Sequence, residues 1–182
     1  GRGIATVIRC DDEKIKFVVS QKSNNAIIYY TSSNGKIVTP YDSSSFGATI
    51  LSNTYKDGVG EIEFTAPITL IGDDALSNCD NLTSITIPDS VTSIGDYTFQ
   101  YCQSLSSVTL PSGLTSIGNN AFTGCSSLTS FTIPDNVTSI GNSAFNGCNK
   151  ISSINIPSAL TSINDAVFYE CSALESVTIP SN

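Results

Sequence analysis

Hydrophobic and polar positions recur every 23 residues over the last two thirds of the chain. The clearest unit is LSSVTLPSGLTSIGNNAFTGCSS, which spans residues 105–127. Units of the same pattern begin at residues 59, 82, 105, 128 and 151, and a partial unit begins at residue 174. Such self-similarity is typical of solenoids, in which each coil buries its apolar face against the neighbouring coils. The sequence therefore predicts a repeat array over residues 59–182 and a separate region over residues 1–58.

The opening of each unit predicts a short strand that a proline ends. In the clearest unit the apolar residues are Leu105, Val108 and Leu110, and the polar Thr109 separates the last two. Alternation with a period of two is typical of a half-buried strand. Pro111 follows directly, and a proline cannot donate to a ladder, so the strand ends there and the chain turns.

The second half of each unit predicts another extended segment and then a helical turn. The apolar pair Leu114 and Ile117 predicts the second segment, so stacked units would pair along two parallel β ladders. Ala121, Phe122 and Cys125 then follow at the spacing of one apolar helical face. We therefore expect a right-handed coil with two short strands and one helical turn in each repeat.

A glycine between the second segment and the predicted helical turn indicates a left-handed corner. It recurs as Gly95, Gly118 and Gly141, and Asn164 replaces it in the last full unit. Asn is the residue other than Gly that best tolerates a positive φ. We therefore expect a positive φ at this corner of every coil.

The region before the array predicts two hairpins. Residues 4–9 and 14–20 are short runs rich in β-branched residues, which favour paired strands. A second hairpin is predicted over residues 26–39, because Asn34-Gly35 tolerates the positive φ of a tight turn.

The stretch that leads into the array predicts a cap. Turn-forming Pro, Ser, Asn and Gly dominate residues 40–58. A solenoid does not leave the apolar face of its first coil bare. We therefore interpret residues 24–58 as an irregular N-terminal cap that includes the predicted β-hairpin.

The unit pattern LxxVxIPxxVTxIGxxAFxxC resembles the leucine-rich repeats of the BspA-like type, and the unit 105–127 matches nearly every specified position. Residues 30–55 look like the segment that often precedes the first repeat in gut-bacterial members. Departures are local, with Thr65 in place of proline, Leu76 in place of phenylalanine and Asn164 in place of glycine. The resemblance implies secreted or surface proteins of host-associated bacteria and some protozoa, with adhesion or protein binding as their role. It implies no catalytic residues.

Charge is unevenly distributed along the chain. Residues 1–58 carry seven basic and five acidic side chains, a net of +2, whereas residues 59–182 carry only Lys150 against eleven acids, a net of −10. Phosphate binding requires clustered Lys or Arg, so this array disfavours nucleic acid as a partner. No apolar run approaches the roughly 20 residues of a membrane span, so membrane attachment would require an anchor outside this sequence.

Candidate chemistry is sparse. The chain has no His, which excludes Ser-His-Asp and Cys-His catalysis and the commonest transition-metal ligand. Paired acids such as Asp73-Asp74 have only surface spacing, so we predict no catalytic residue, no metal site and no cofactor.

Five cysteines recur once per unit and allow three interpretations: disulfides, a metal ladder or buried thiols. We favour reduced, buried thiols, because the paired spacings of structural zinc are absent and five is an odd number. Cys10 lies outside this column and has no assigned role. The column comprises Cys79, Cys102, Cys125, Cys148 and Cys171.

A candidate binding surface is the row of polar residues at the fifth place of each unit, between two inward apolar residues. Such residues should form a continuous outward row with one hydroxyl or amide per coil. Thr is also simply a good residue for the solvated face of a strand, and that alternative stays open. The row comprises Thr86, Thr109, Thr132, Asn155 and Thr178.

These features favour a non-enzymatic binding module, extracellular or on a cell surface, that recognises a protein or a glycan. The alternative is a structural spacer that holds another domain away from the surface, because Trp is absent and exposed aromatic residues are few. A glycan-binding or carbohydrate-active accessory module is a more distant alternative. We expect a monomer.

Overall fold

The computed structural model of the protein describes Ala5–Thr6, Val18–Val19 and residues 26–180. Within these residues the regular structure is entirely β, and no helix is long or apolar enough to cross a membrane. The strands are β1 (Ala5–Thr6), β2 (Val18–Val19), β3 (Ile27–Ser32), β4 (Ile50–Lys56), β5 (Val59–Phe64), β6 (Leu70–Ile71), β7 (Leu82–Thr86), β8 (Ser93–Ile94), β9 (Ser107–Thr109), β10 (Ser116–Ile117), β11 (Ser130–Phe131), β12 (Ser139–Ile140) and β13 (Ser153–Ile154).

Two parallel ladders run along the array, as the repeat predicts. The first ladder contains the pairs β7–β9 and β11–β13, followed by a bridge between Asn155 and Thr178. The second ladder is the four-stranded sheet β6, β8, β10 and β12. Its register pairs Ser93 with Ser116 and Ser116 with Ser139, so successive coils contribute equivalent residues. The right-handed sense of the coil stays a prediction.

The third side of each coil is a run of hydrogen-bonded turns, which we call the turn arc (residues 95–102, 118–125 and 141–148, with their equivalents). The prediction of a helical turn here is wrong. The N–H groups of Phe122 and Gly124 donate to the carbonyls of Ala144 and Asn146 in the next coil, at 2.8 and 2.7 Å. Cys125 instead donates to the residue three places before it, Phe122, at 3.1 Å. An α-helix beyond its first turn directs each N–H to the carbonyl four residues back, so the alternating bonds to the neighbouring coil are not helical.

Left-handed residues produce this arrangement. In the arc of residues 118–125, Asn120 has a φ of 53° and Gly124 has a φ of 74°. Two such residues four places apart turn alternate N–H groups toward the next coil. The apolar spacing of Ala121, Phe122 and Cys125 is real, since all three are buried, but it is built from turns.

Stacked phenylalanines and cysteines fill the interior behind the turn arc. The rings of Phe99 and Phe122 lie 5.0 Å apart at 12°, and those of Phe122 and Phe145 lie 5.4 Å apart at 2°. The Sγ of Cys125 donates to the Phe99 carbonyl oxygen at 3.2 Å, across the boundary between coils. All five column cysteines are buried and free, which confirms the interpretation as buried thiols.

The glycine at the corner does not have the predicted positive φ, and neither does Asn164. Glycine is required there because two coils approach each other closely. A Cβ on Gly118 would lie 2.5 Å from the carbonyl carbon of Gly95 and 2.6 Å from the amide nitrogen of Asp96. In the last coil Asn164 Nδ2 donates to the Ile140 carbonyl oxygen at 2.7 Å, and the second ladder ends at β12. The Asn side chain thus makes the contact that a main-chain amide makes in earlier coils.

The N-terminal cap closes the first ladder with an antiparallel strand. In the five-stranded sheet β4-β5-β3-β7-β9, β3 pairs antiparallel with both β5 and β7. The predicted hairpin over residues 26–39 is therefore wrong, although Gly35 does turn the chain with a φ of 67°. Because β5 and β7 pair with the two edges of β3, residues 37–40 cannot pair with it.

The hairpin of the cap is β4–β5, which sequence analysis missed in residues 40–58. Its turn contains Asp57 and Gly58, with φ of 52° and 87°, the left-handed values that tight hairpin turns require. The predicted domain boundary between residues 58 and 59 falls within the β4–β5 hairpin. The assignment of two domains stays a prediction. Further toward the N-terminus, β1 pairs antiparallel with β2 where the first hairpin is predicted. The rest of that predicted hairpin lies outside the described residues.

Candidate functional site

The five predicted binding residues form an exposed row on the outer face of the first ladder, hereafter the Thr row. All five side chains are exposed. Register pairs Thr86 with Thr109 and Asn155 with Thr178, so these members are direct neighbours on adjacent strands. The structure therefore places the row where the strand alternation predicts it, and its role in binding stays a proposal.

A second polar row lies on the same face, and sequence analysis missed it. Each unit has a serine two residues before its Thr-row member, and residues two apart on a strand share a face. Ser84 is half-buried because its Oγ lies 2.7 Å from Oγ1 of Thr31 in the cap, whereas the later serines are exposed. This serine recurs at the same place in successive units, so the repeat itself indicates the row. This Ser row comprises Ser84, Ser107, Ser130, Ser153 and Ser176.

The cap extends the same face with an aromatic and an acidic side chain. Tyr29 lies directly opposite Thr86 in the antiparallel register, and Glu61 lies directly opposite Tyr29. Directly paired residues of an antiparallel sheet point to the same side. Tyr29 is 43% exposed, so it presents its ring beside the Thr row. These residues come from the region outside the repeat, where the 23-residue pattern gives no register.

The first ladder is interrupted between the coils 105–127 and 128–150. At the preceding boundary, Ser106 N–H donates to the Thr83 carbonyl at 2.9 Å and Ile87 N–H donates to the Thr109 carbonyl at 3.0 Å. In the described part of the chain, no hydrogen bond engages the equivalent N–H groups of Thr129 and Leu110. Strands β9 and β11 are likewise unpaired with each other. The two coils separate on this side of the array.

A groove of about 570 Å³ lies at the interruption. Thr109, Thr132 and Asn155 of the Thr row line it together with Leu110 and Ile133. The structure thus brings three of the five predicted residues to one concave site. Thr86 and Thr178 lie outside it, one toward each end of the row.

Asn155 holds the far wall of the groove. Its Oδ1 accepts from the Ile133 N–H at 2.8 Å, and its Nδ2 donates to the Ile133 carbonyl at 2.8 Å. The amide therefore extends the pairing of β11 with β13, between the coils 128–150 and 151–173, to the main chain of Ile133. Asn155 positions the wall, whereas Thr109 and Thr132 leave their hydroxyl groups exposed toward solvent.

Phe131 lies between the two coils that separate at this boundary. Its column otherwise contains only Ile or Val in the units from residue 82 onward. The Phe131 ring packs edge-on against Phe122 in the preceding coil and Phe145 in its own coil, at centroid distances of 4.9 and 4.8 Å. A ring that is larger than Ile or Val and lies between the two coils favours displacement of its strand from the preceding one.

The side chains that line the groove are chiefly hydrogen-bonding groups. Asp135 is the charged residue that lines it, and the other polar residues there carry hydroxyl or amide groups. No group of three potential metal-binding side chains was found among the described residues. Hydroxyl and main-chain groups both donate and accept, which suits a ligand that is itself rich in amide groups.

Comparison with known proteins relates the chain to bacterial repeat proteins. The pattern described as "BspA type Leucine rich repeat region (6 copies)" matches residues 69–182. Among solved structures, a T. pallidum leucine-rich repeat protein is 30% identical with a TM-score of 0.62, and the match covers 64% of this chain and 54% of that chain. A leucine-rich cell surface protein from Faecalibacterium prausnitzii is 37% identical with a TM-score of 0.59, with 60% and 29% covered. This chain thus spans about half of the first relative and less than a third of the second. Comparison with curated proteins found no match.

Proposed function

Because the chain belongs to the BspA-type leucine-rich repeat family, we propose that it is a non-enzymatic protein-binding module of a secreted or cell-surface protein. The F. prausnitzii relative is a cell surface protein, which supports this location. The family also supports a binding role, because stacked coils present extended rows of side chains to a partner.

The observation that supports a specific site is the interruption of the first ladder beneath the two hydroxyl rows. Edge strands with unpaired N–H and C=O groups are templates for main-chain hydrogen bonds from a partner. Here Leu110 and Thr129 have free N–H groups in the described part of the chain, next to exposed Thr109 and Thr132. An extended polypeptide segment offers both the main-chain groups and the length that this surface matches.

Charge favours a partner segment with basic side chains. Asp135 lines the groove, and residues 59–182 carry a single Lys against eleven acids. Complementary charge raises the rate of encounter and disfavours acidic competitors. The same charge argues against nucleic acid at this site.

A structural spacer is the second candidate, and the opposite side of the array favours it. The second ladder is hydrogen bonded without interruption from β6 to β12. Continuous pairing of this kind makes a stiff rod, whatever the array binds. A spacer requires no ligand at the groove, so the two candidates differ in a measurable way.

The experiment is selection of binding peptides from a displayed random library, followed by calorimetry with the selected peptides. We expect peptides enriched in Lys and Arg. The double variant Thr109→Lys with Thr132→Lys should abolish their binding, because it fills the groove and adds positive charge, while the thermal midpoint stays near wild type. The matched control is Thr115→Lys with Thr138→Lys, which makes the same change at the same spacing on the second ladder.

The control variant should retain the wild-type affinity. If no peptide is selected, or if both double variants bind the peptides with wild-type affinity, the groove is not a protein-binding site and the spacer is the better account. Equal loss of binding in both variants would indicate a nonspecific effect of charge.

A further inference from the structure

A second concave site, hereafter the trough, lies on the turn arc and takes no part in the groove. It has a volume of about 520 Å³ and runs across coils from Tyr101 to Glu170. Gly124 and Gly147 lie between these two residues and also line it. The volume falls in the range of small-molecule sites.

The shape of the trough depends on the side chains in the column that contains Tyr101, Gly124 and Gly147. The residues at this place in five successive coils are all left-handed, with φ between 56° and 74°. Because Asn, Tyr and Glu adopt this conformation in three of the coils, backbone geometry alone does not require glycine in the other two. The column comprises Asn78, Tyr101, Gly124, Gly147 and Glu170.

The two glycines have different surroundings. A Cβ on Gly124 would lie 2.5 Å from Cδ1 of the Tyr101 ring, so the ring leans over this glycine. A Cβ on Gly147 would lie 3.6 Å from Cα and the amide nitrogen of Gly124, which is an ordinary contact. The space above Gly147 is therefore open, and the Tyr101 ring forms one end of it.

Three of the polar side chains that line the trough have no protein partner among the described residues. In the described part of the chain, no hydrogen bond or ion pair engages the side chains of Asn146, Asn149 or Glu170. Asn149 and Glu170 are exposed, and Tyr101 is 47% exposed. Two amides, a carboxylate and an aromatic ring thus converge on one open space.

This combination matches the chemistry of a sugar. One face of a pyranose ring carries C–H groups, which pack on the electron-rich face of an aromatic ring. The hydroxyls at its rim donate to a carboxylate and exchange hydrogen bonds with amides. A phosphate or other anion is disfavoured, because the trough is lined by Glu170 and, among the described residues, by no basic side chain. An apolar ligand would leave both amides without partners.

We propose that the trough binds a short neutral oligosaccharide, with one sugar ring packed on Tyr101 and its hydroxyls bound by Asn146, Asn149 and Glu170. This binding is separate from the proposed recognition of a polypeptide at the groove. The two sites lie on different sides of the coil, since the groove is lined by the first ladder and the trough by the turn arc.

The test measures binding of cellohexaose, chitohexaose and mannohexaose to the full chain by calorimetry and by saturation-transfer NMR. We expect at least one of them to bind. Tyr101→Ala should weaken that binding roughly tenfold or more, as expected for loss of a stacked ring. Gly147→Asn should do the same by filling the trough. Asn78 occupies the equivalent place with a φ of 56°, so this second variant should fold.

Tyr97→Ala is the matched control, because Tyr97 is a left-handed, exposed tyrosine of the same coil that does not line the trough. It should leave binding unchanged. The proposal is overturned if none of the three hexasaccharides binds, or if Tyr101→Ala and Gly147→Asn both bind like wild type. Loss of binding in the Thr109→Lys and Thr132→Lys double variant would instead place the sugar in the groove.

Discussion

The boundary between the coils 105–127 and 128–150 has a closed side and an open side. On the closed side, which is the second ladder and the turn arc, Gly141 N–H bonds to the Ile117 carbonyl at 2.9 Å and Phe122 N–H bonds to the Ala144 carbonyl at 2.8 Å. On the open side, which is the first ladder, the N–H groups of Leu110 and Thr129 have no hydrogen-bond partner in the described residues. The same two coils are therefore joined along two sides and separated along the third.

This difference shows how a repeat array acquires a local site. The closed side depends on residues that recur in almost every unit, such as the corner glycine and the buried cysteine. The open side lies where two columns change, at Phe131 in place of Ile or Val and at Asn155 in place of Thr. A concave site can therefore arise within the 23-residue repeat, without an insertion and without loss of the shared core.

Replacement of the corner glycine should disrupt the packing of the coils on the closed side and cause the largest loss of stability. In Gly118→Ala the new Cβ meets main-chain atoms of Gly95 and Asp96 that cannot move unless the coils separate. We expect the free energy of unfolding to fall by roughly 3 kcal/mol or more. Urea denaturation measures this change.

The matched control is Gly113→Ala, in a turn where the nearest atom to a new Cβ is the Asp89 carbonyl oxygen at 3.9 Å. We expect no loss and up to about 1 kcal/mol of stabilisation, since alanine restricts the unfolded chain. Equal destabilisation by the two substitutions would show that close approach of the coils is not the reason for glycine at the corner.

Loss of the Asn155 amide should weaken the wall of the groove on the open side. Asn155→Ala removes two hydrogen bonds to the Ile133 main chain. We expect a loss of about 1–3 kcal/mol in the free energy of unfolding. Thr132→Ala is the control in the same row, because Thr132 is exposed, and its effect should stay within about 0.5 kcal/mol. If Asn155→Ala leaves the free energy of unfolding unchanged, the Asn155 amide does not support the wall of the groove.

The closed side also excludes water from the cysteine column, and this predicts a pH dependence. Burial raises the pKa of the Cys125 thiol to about 12, whereas an unfolded thiol titrates near 8.5. Between these values the unfolded state loses the proton first, so stability is full below the unfolded pKa and falls as the pH rises. The slope from this one group is up to about 1.4 kcal/mol per pH unit.

Unfolding of wild type and Cys125→Ala across this alkaline range measures the contribution of the thiol. The variant should show a shallower decline with pH, because it lacks one buried thiol, while the other titrating groups are common to both proteins. Identical slopes in the two proteins would mean that Cys125 is exposed to hydroxide in the native state.

Sequence analysis predicted the parts of the fold that recur. Pro111 and the alternation around Thr109 sufficed to place the first ladder, and burial of Cys125 followed from the apolar spacing. The same spacing led to the wrong backbone in the turn arc, because a run of left-handed turns buries the same positions as a helix. The corner glycine was assigned the wrong role because one residue type meets two different needs, a positive φ and a close contact between chains.

The candidate site could be predicted only in part. The Thr row followed from alternation, which depends on neighbours along the strand. The groove depends on whether strands in different coils pair, and the ring of Phe131 influences that pairing across coil boundaries. Tyr29 joined the same face through antiparallel pairing with the cap, and no periodic pattern encodes that register. Pairing between distant segments is the physical reason that these features were missed.

Amide hydrogen exchange, resolved by NMR, tests the contrast between the closed and open sides most directly. We predict slow exchange for the N–H groups of Gly118, Gly141 and Phe122, whose hydrogen bonds to neighbouring coils are 2.8–2.9 Å long. We predict fast exchange for Leu110 and Thr129, although Ser106 and Ile87, at the equivalent places one boundary earlier, should be protected. Protection of Leu110 and Thr129 comparable to that of Gly118 and Gly141 would contradict the account, because the first ladder would then be continuous and the groove closed.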